Sequence, residues 1–319
     1  MKELLPIGEC IEVMAAAFGR LAEGRVLQPL RSLVRTEAGT GFLGLMPGFD
    51  QSSESGFWGL KEVCVFPDNP TRGLDTHLGA VLLHSGETGE LLAIANASAV
   101  TAIRTAAVTG LATRLLARGE SRKAVIFGTG VQACAHLDSL AVVLPLERMW
   151  IVGRTLESSQ RFVEQQRGRW DFELVATDDA ERAVAEADVI TTVTNSREPV
   201  LDRRWVADGS HINLVGSSTR HAREADGSTM AAGVLFVDWR ESTLNESGDL
   251  LSAIEEGAIA EEHIVGELGD LVVGRHRGRG SVEEITIFKS LGLAIEDLAA
   301  VEVLWGKALE SGRGSWIDF

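Results

Sequence analysis

A run of apolar residues, Lys123 to Phe127, ends in a turn reading Gly128-Thr129-Gly130-Val131-Gln132-Ala133. This G-x-G-x-x-A spacing, placed between a strand and a helix, suits a dinucleotide. The first glycine permits a tight turn, and the second lets a pyrophosphate reach the backbone. The small third residue lets helix and strand pack closely. The helix N-terminus adds unpaired N–H groups and the positive end of its dipole. Gly128, Thr129, Gly130, Val131 and Gln132 are the expected contacts. A glycine turn in any α/β protein would read the same from these residues alone, so the surrounding elements must decide.

The next candidate strand ends Val152-Gly153-Arg154-Thr155, with Ser158 close behind. A site selecting NAD carries an acid here for the ribose 2′-hydroxyl. A cation and hydroxyls suit a 2′-phosphate, so NADP(H) is the expected cofactor, held through Arg154 and Thr155, with NAD(H) the alternative.

A second group of residues suits an anion. In the helical stretch SAVTAIRTAAVTGLATRLLARG, Arg104 falls between Leu111 and Leu115, inside the apolar arc. A charge there is costly unless paired. One reading is a salt bridge to a buried acid; the other is a carboxylate site, which a guanidinium grips bidentately. Lys61 lies in the apolar strand GFWGLKEVCVF and Arg31 in VLQPLRSLV. Three such cations in an acidic chain point to a pocket for a small carboxylate. The loop GRHRGRG at 274–280 reads as solvated, and His77 and His211 as structural.

The elements that must position these residues follow from periodicity. From residue 123, six apolar strands (123–128, 149–153, 172–177, 189–194, 211–216, 234–238) alternate with helices at 131–144, 155–167, 178–187 and 224–232. That alternation predicts a parallel sheet covered on both faces. Thr192 and Val193 end the fourth strand and Val215 and Gly216 the fifth, where a cofactor crevice is expected. Before them, strands at 41–46, 59–66, 78–84 and 90–96 read as antiparallel, and a helix at 99–118, capped by Ser98 and stopped near Gly119, links the two parts. The stretch ITIFKSLGLAIEDLAAVEVLWGKALESG gives a strand-like piece and a long helix with no further strand to serve. The expected fold class is α/β, a Rossmann-type domain (116–292) inserted into an α+β domain (1–115 with 293–319).

The chain has 319 residues, 45% of them hydrophobic, and a net charge of −16. So acidic a protein lacks the basic face that nucleic acid or an anionic membrane would require. No run of about 18 apolar residues spans a membrane, and the N-terminus lacks a signal-peptide layout. Three cysteines without metal or redox spacing fit a cytoplasmic setting. No metal-ligand cluster or nucleophile with its base stands out, and tyrosine is absent.

Several stretches together (PLRSLV, GLKEVCVFPDNP, AIRTAAVTGLA, FGTGVQACAHL, HINLVGSSTRHAREAD, ESGDL and ITIFKSLG) resemble the ornithine cyclodeaminase/mu-crystallin family over nearly the whole length. The resemblance implies a homodimer built on the N-terminal sheet, to which the last helix returns. It implies that Arg31, Lys61 and Arg104 hold a substrate carboxylate. Cyclodeaminases and related alanine dehydrogenases carry an aspartate after the VG of the HINxVG strand; here Ser218 takes its place. A hydroxyl is a poor base near neutrality, so ornithine deamination is disfavoured. Family members that reduce imines demand less, because the imine can arrive protonated. The expected activity is an NAD(P)H-dependent reduction of a small α-imino acid such as 1-pyrroline-2-carboxylate, with Lys61, Arg104 and Ser218 at the reacting centre. The alternatives are a cyclodeaminase or amino-acid dehydrogenase with another base, and a nucleotide-carrying binding protein of the mu-crystallin kind.

Overall fold

The structure, a computed structural model, describes residues 1, 3–37 and 41–317. It opens with helix α1 (Ile7–Ala22) and strands β1 (Val26–Leu27), β2 (Ser32–Arg35), β3 (Phe42–Asp50), β4 (Phe57–Val65), β5 (His77–Ser85) and β6 (Leu91–Asn96), followed by helix α2 (Ala97–Leu116). Alternation begins with β7 (Lys123–Phe127), α3 (Val131–Val143), β8 (Arg148–Val152), α4 (Leu156–Gln165), β9 (Glu173–Thr177), α5 (Ala180–Glu186) and β10 (Val189–Thr192). Then come β11 (His211–Leu214), α6 (Gly227–Ala232), β12 (Val234–Val237), α7 (Arg240–Glu246), α8 (Gly248–Glu255), β13 (Ile264–Glu267), α9 (Leu268–Val272), β14 (Thr286–Lys289) and α10 (Ala294–Ser311). The chain falls into two compact units. One comprises Met1–Ala107 with the segment from Leu293; the other is Val108–Gly292.

In the second unit eight strands form a parallel sheet ordered β13-β12-β14-β11-β10-β7-β8-β9. The sequence predicts six. The run β9-β8-β7-β10-β11-β14 has the doubly wound order, whose crevice opens where the order reverses, between β7 and β10. One strand, β13, fell outside the prediction, and the strand-like piece expected after residue 285 proves to be a further member of this sheet, β14. β13 is a short IVGE run, and β14 slots between β11 and β12, so it completes this sheet. Residues alternate across the sheet into two cores. Val125, Phe127, Ile190, Ile212 and Ile287 pack on one face; Ala124, Ile126, Leu137, Met149 and Ile151 pack on the other. Side-chain caps start α4, α5, α6 and α8: Thr155 accepts from Ser158 N, Asp179 from Arg182 N, Asp226 from Thr229 N and Ser247 from Leu250 N. The sixth helix therefore begins at Gly227, after Asp226, and Glu224 belongs to the preceding loop.

In the first unit the sheet is antiparallel, ordered β1-β3-β4-β5-β6, with β2 also on β3. Its third strand continues past the predicted end, through Pro47, to Asp50. Pro47 is tolerated because β2 stops level with Leu45 and β1 starts level with Phe49. A missing N–H in that gap breaks no ladder bond. Met46, Val63, Val81 and Leu83 are buried, and a Cβ on Gly59 would meet Leu298 of α10 at 2.6 Å, so this face packs on α10. The opposite face leaves Val34, Trp58, Leu78 and Ile94 exposed. The cap of α2 is Asn96, whose Oδ1 accepts from Ala99 N at 2.9 Å; Ser98, expected there, donates to Asp75 instead. That helix ends at Leu116, before Gly119. Among the described residues no helix is long and apolar enough to cross a membrane.

Candidate active site

The glycine turn at the end of β7 has the geometry of a phosphate cradle. Gly128 adopts φ 127°, and a Cβ there would lie 2.8 Å from the Val193 carbonyl oxygen, so only glycine fits. Gly130 differs. Its backbone is ordinary, φ −93° and ψ −167°, yet a Cβ there would meet nothing within 4 Å. The space above it is open to a ligand. Gly130 is the N-cap of α3 and supplies no side chain to its first turn, which leaves that helix end to an anion. Gln132 Oε1 is buried without a partner among the described residues. The turn is held from below by His136, whose Nδ1 donates to Gln132 O at 2.8 Å. Its Nε2 lies 3.0 Å from Thr109 Oγ1. Burial pushes His136 down to about 4, so it stays neutral with one donor and one acceptor.

At the end of β8, Arg154 is exposed. The hydroxyls beside it are engaged. Thr155 Oγ1 accepts from Ser158 N at 3.2 Å, and Ser158 Oγ donates to Thr155 O at 2.7 Å, closing a capping box. Arg154 is thus the freer of the groups expected to meet a 2′-phosphate.

In the first unit Lys61 and Arg104 are both buried, at 4% exposure, and both meet α10. Arg104 Nε donates to Asp297 Oδ1 at 3.0 Å, and its Nη1 donates to Glu296 Oε2 through a short bond. Lys61 Nζ donates to Thr101 Oγ1 at 2.6 Å and to the two Asp297 oxygens at 3.1 and 3.2 Å. The buried-acid reading of Arg104 is therefore correct. It does not exhaust the donors. Nη2 of Arg104 has no partner among the described residues, whereas the three N–H groups of Lys61 Nζ are matched by the Thr101 hydroxyl and the two Asp297 oxygens. Burial lowers Lys61 to about 8, against the pull of Asp297 and helped by Arg104. Burial also opposes the charge on Arg104, but Asp297 and Glu296 outweigh it and raise its value. Arg31 precedes β2. The ladder of β2 begins with Ser32 opposite Leu45, so Arg31 lies just outside it.

A model of the ornithine cyclodeaminase/mu-crystallin family matches residues 1–312. The chain belongs to this family. The Δ1-pyrroline-2-carboxylate reductase of Bacillus cereus (strain ZK / E33L) is 35% identical over 321 residues, covering 100% of this chain and 97% of the relative. Among solved structures, Thermococcus litoralis Δ1-pyrroline-2-carboxylate reductase, in complex with NADH and L-proline, superposes with a TM-score of 0.96 at 36% identity, over 99% of this chain and 98% of that one. An archaeal alanine dehydrogenase dimer with bound NAD gives 0.93 at 32% identity, over 100% and 96%.

The remaining expected residues of this family member lie at the ends of β10 and β11. Thr192 is fully buried and donates to Glu224 Oε2 at 2.8 Å, so its hydroxyl is spent within the protein. Val193 is partly buried, and its N–H donates to Phe127 O. Val215 is buried, Gly216 donates its N–H to Glu224, and Ser218 is partly exposed. Lys289 is fully buried against Asp249 and Ser217 O. Sequence reasoning missed Glu224, Glu296 and Asp297. The acids of α10 had a signal: two adjacent carboxylates inside the apolar run of AIEDLAAVEVLW. Among the described residues no group of three or more His, Cys, Asp or Glu side chains could hold a metal.

Proposed function

We propose that the chain is an NAD(P)H-dependent reductase of small α-imino acids, of the 1-pyrroline-2-carboxylate or ketimine type. The observation that carries this reading is the buried Lys61–Arg104 pair with donors left over. Two carboxylates of α10 balance the two cations, so the cluster is stable when empty, yet unspent N–H groups remain on Arg104 Nη2. A substrate carboxylate accepting from them would be gripped through charge-assisted bonds. Arg31, just before β2, is the proposed third contact. Fixing the carboxylate orients the C=N group, and such positioning supplies the largest share of the rate.

Gly128, Thr129, Gly130, Val131 and Gln132 would hold the pyrophosphate, and Val193, Val215 and Gly216 the crevice wall. When bound, the dinucleotide supplies the hydride that the imine carbon accepts. The imine nitrogen needs a proton as well. Lys61, with a value near 8, holds a proton at neutral pH and can release it, which makes Nζ the proposed donor. Ser218, replacing an acid, fits a reductase better than a deaminase. Arg154 favours NADP(H) over NAD(H). The uncovered apolar face of the first unit's sheet, with Trp58 and Ile94 exposed, is the proposed homodimer surface. The test is oxidation of NADPH and NADH with 1-pyrroline-2-carboxylate and with linear imino acids. Turnover is expected. Nucleotide binding without turnover of any imino acid rejects the proposal.

A further inference from the structure

Glu224 lies in the loop between β11 and α6, fully buried. Its Oε2 accepts from Thr192 Oγ1 at 2.8 Å, Gly216 N at 2.7 Å and Ser217 N at 3.2 Å. Its Oε1 accepts from Thr194 N at 2.7 Å and Thr194 Oγ1 at 2.8 Å. Burial pushes the Glu224 carboxyl up, but Lys289 and backbone N–H groups, which can only donate, favour its ionised form. The donors come from two segments, one after β10 and one after β11. These segments touch: a Cβ on Gly216 would lie 2.1 Å from Thr194 O.

Glu224 is itself held in place. Its N–H donates to Asp249 Oδ1 at 2.7 Å, as does that of Ala225 at 3.0 Å. Asp249 Oδ2 pairs with Lys289 Nζ at 2.9 Å, and Nζ donates to Ser217 O at 2.6 Å. Ser217 is therefore tied at both its N–H and its carbonyl. Ser218 follows it with no side-chain hydrogen bond among the described residues. Its position is set through its neighbour.

The sheet order explains why these loops matter. β7, β8 and β9 form one half of the doubly wound sheet, and β10 and β11 begin the other. In such sheets ligands lie beyond the carboxyl ends of the strands, one mononucleotide to each half. We infer that Glu224 is a positioning residue: its carboxylate fixes the loops after β10 and β11 that receive the nicotinamide half of the dinucleotide and present Ser218. The inference rests on the proposed function for the identity of the ligand.

Two variants, Glu224→Gln and Glu224→Asp, test it by calorimetry with NADH and with ADP-ribose, which lacks the nicotinamide. The amide of Glu224→Gln would point an N–H at N–H groups. NADH affinity is expected to fall about tenfold, the equivalent of one buried group left unpaired. ADP-ribose affinity should hold within about twofold. Turnover should fall about 10²-fold, as for a misplacement near 1 Å, with a larger isotope effect from deuterated cofactor. Glu224→Asp keeps the charge and should recover part of each loss; if the amide variant does not fold, it carries the same comparison. Equal weakening of both ligands overturns the inference, as does a lowered melting temperature with unchanged NADH binding and turnover. If the wild type reduces no imino acid, the functional reading fails, while the difference between NADH and ADP-ribose still decides the role of Glu224.

Discussion

The buried ionic cluster around Arg104 in the first unit and the one around Glu224 in the second are built differently. In the first unit, Lys61 and Arg104 face Glu296 and Asp297, and Arg104 keeps N–H groups on Nη2 that no described residue takes. In the second, both oxygens of Glu224 are filled by donors, and Lys289 joins Asp249 to the Ser217 carbonyl. Both clusters are buried, and both set cations against carboxylates. What separates them is whether the bonding capacity is used up. A cluster with donors to spare is arranged for something that arrives; a saturated one is arranged to keep loops still.

The largest test of this contrast removes a cation. Arg104→Leu leaves two buried carboxylates facing one lysine. Urea unfolding is expected to show a loss of about 3–5 kcal/mol, together with loss of imino-acid reduction. Arg104→Lys is the sharper version, since it retains charge but not the fork. It should fold, with kcat/KM lowered about 100-fold, and wild-type kinetics in that variant would end the claim that the spare N–H matters. In the saturated cluster, Asp249→Asn should cost about 3 kcal/mol of stability by stranding Lys289, while KM for the imino acid moves less than about threefold. A KM change as large as that of Arg104→Lys would erase the distinction between the clusters.

A pH profile reads the open cluster directly. Lys61 carries its proton below about 8 and loses it above. Its grip on a carboxylate therefore persists at lower pH, and kcat/KM should fall by about tenfold per unit above that value. Lys61→Met should abolish that limb. The smallest effect concerns glycines, where filled and vacant space differ in the same way. Gly130→Ala should leave stability within about 0.5 kcal/mol, because a Cβ there meets nothing, but should weaken NADH binding. Gly216→Ala should lose stability, because its Cβ would collide with Thr194.

The parts legible in the sequence were those in which a residue's type contradicts its surroundings. The paired glycines after β7, Arg104 within an apolar helix face and Lys61 within an apolar strand are all of this kind. Their partners were harder to see. Glu224 sits among polar residues in STRHAREAD, where an acid looks solvated, and only the return of the chain through β14 and α8 buries it. Likewise, the acids of α10 acquire meaning from Lys61, more than two hundred residues earlier, a pairing that no local pattern encodes. The slot of β14 between β11 and β12 was hidden for the same reason: sequence order and sheet order part company there.

The late position of α10 has a consequence for biosynthesis. A ribosome delivers Lys61 and Arg104 early, and their counter-ions emerge only after the whole of Val108–Gly292. Until then the first unit holds two uncompensated positive groups and an unshielded apolar sheet. The intervening unit is continuous and can mature by itself during translation, so completion of the first unit becomes the closing event in the protein's assembly.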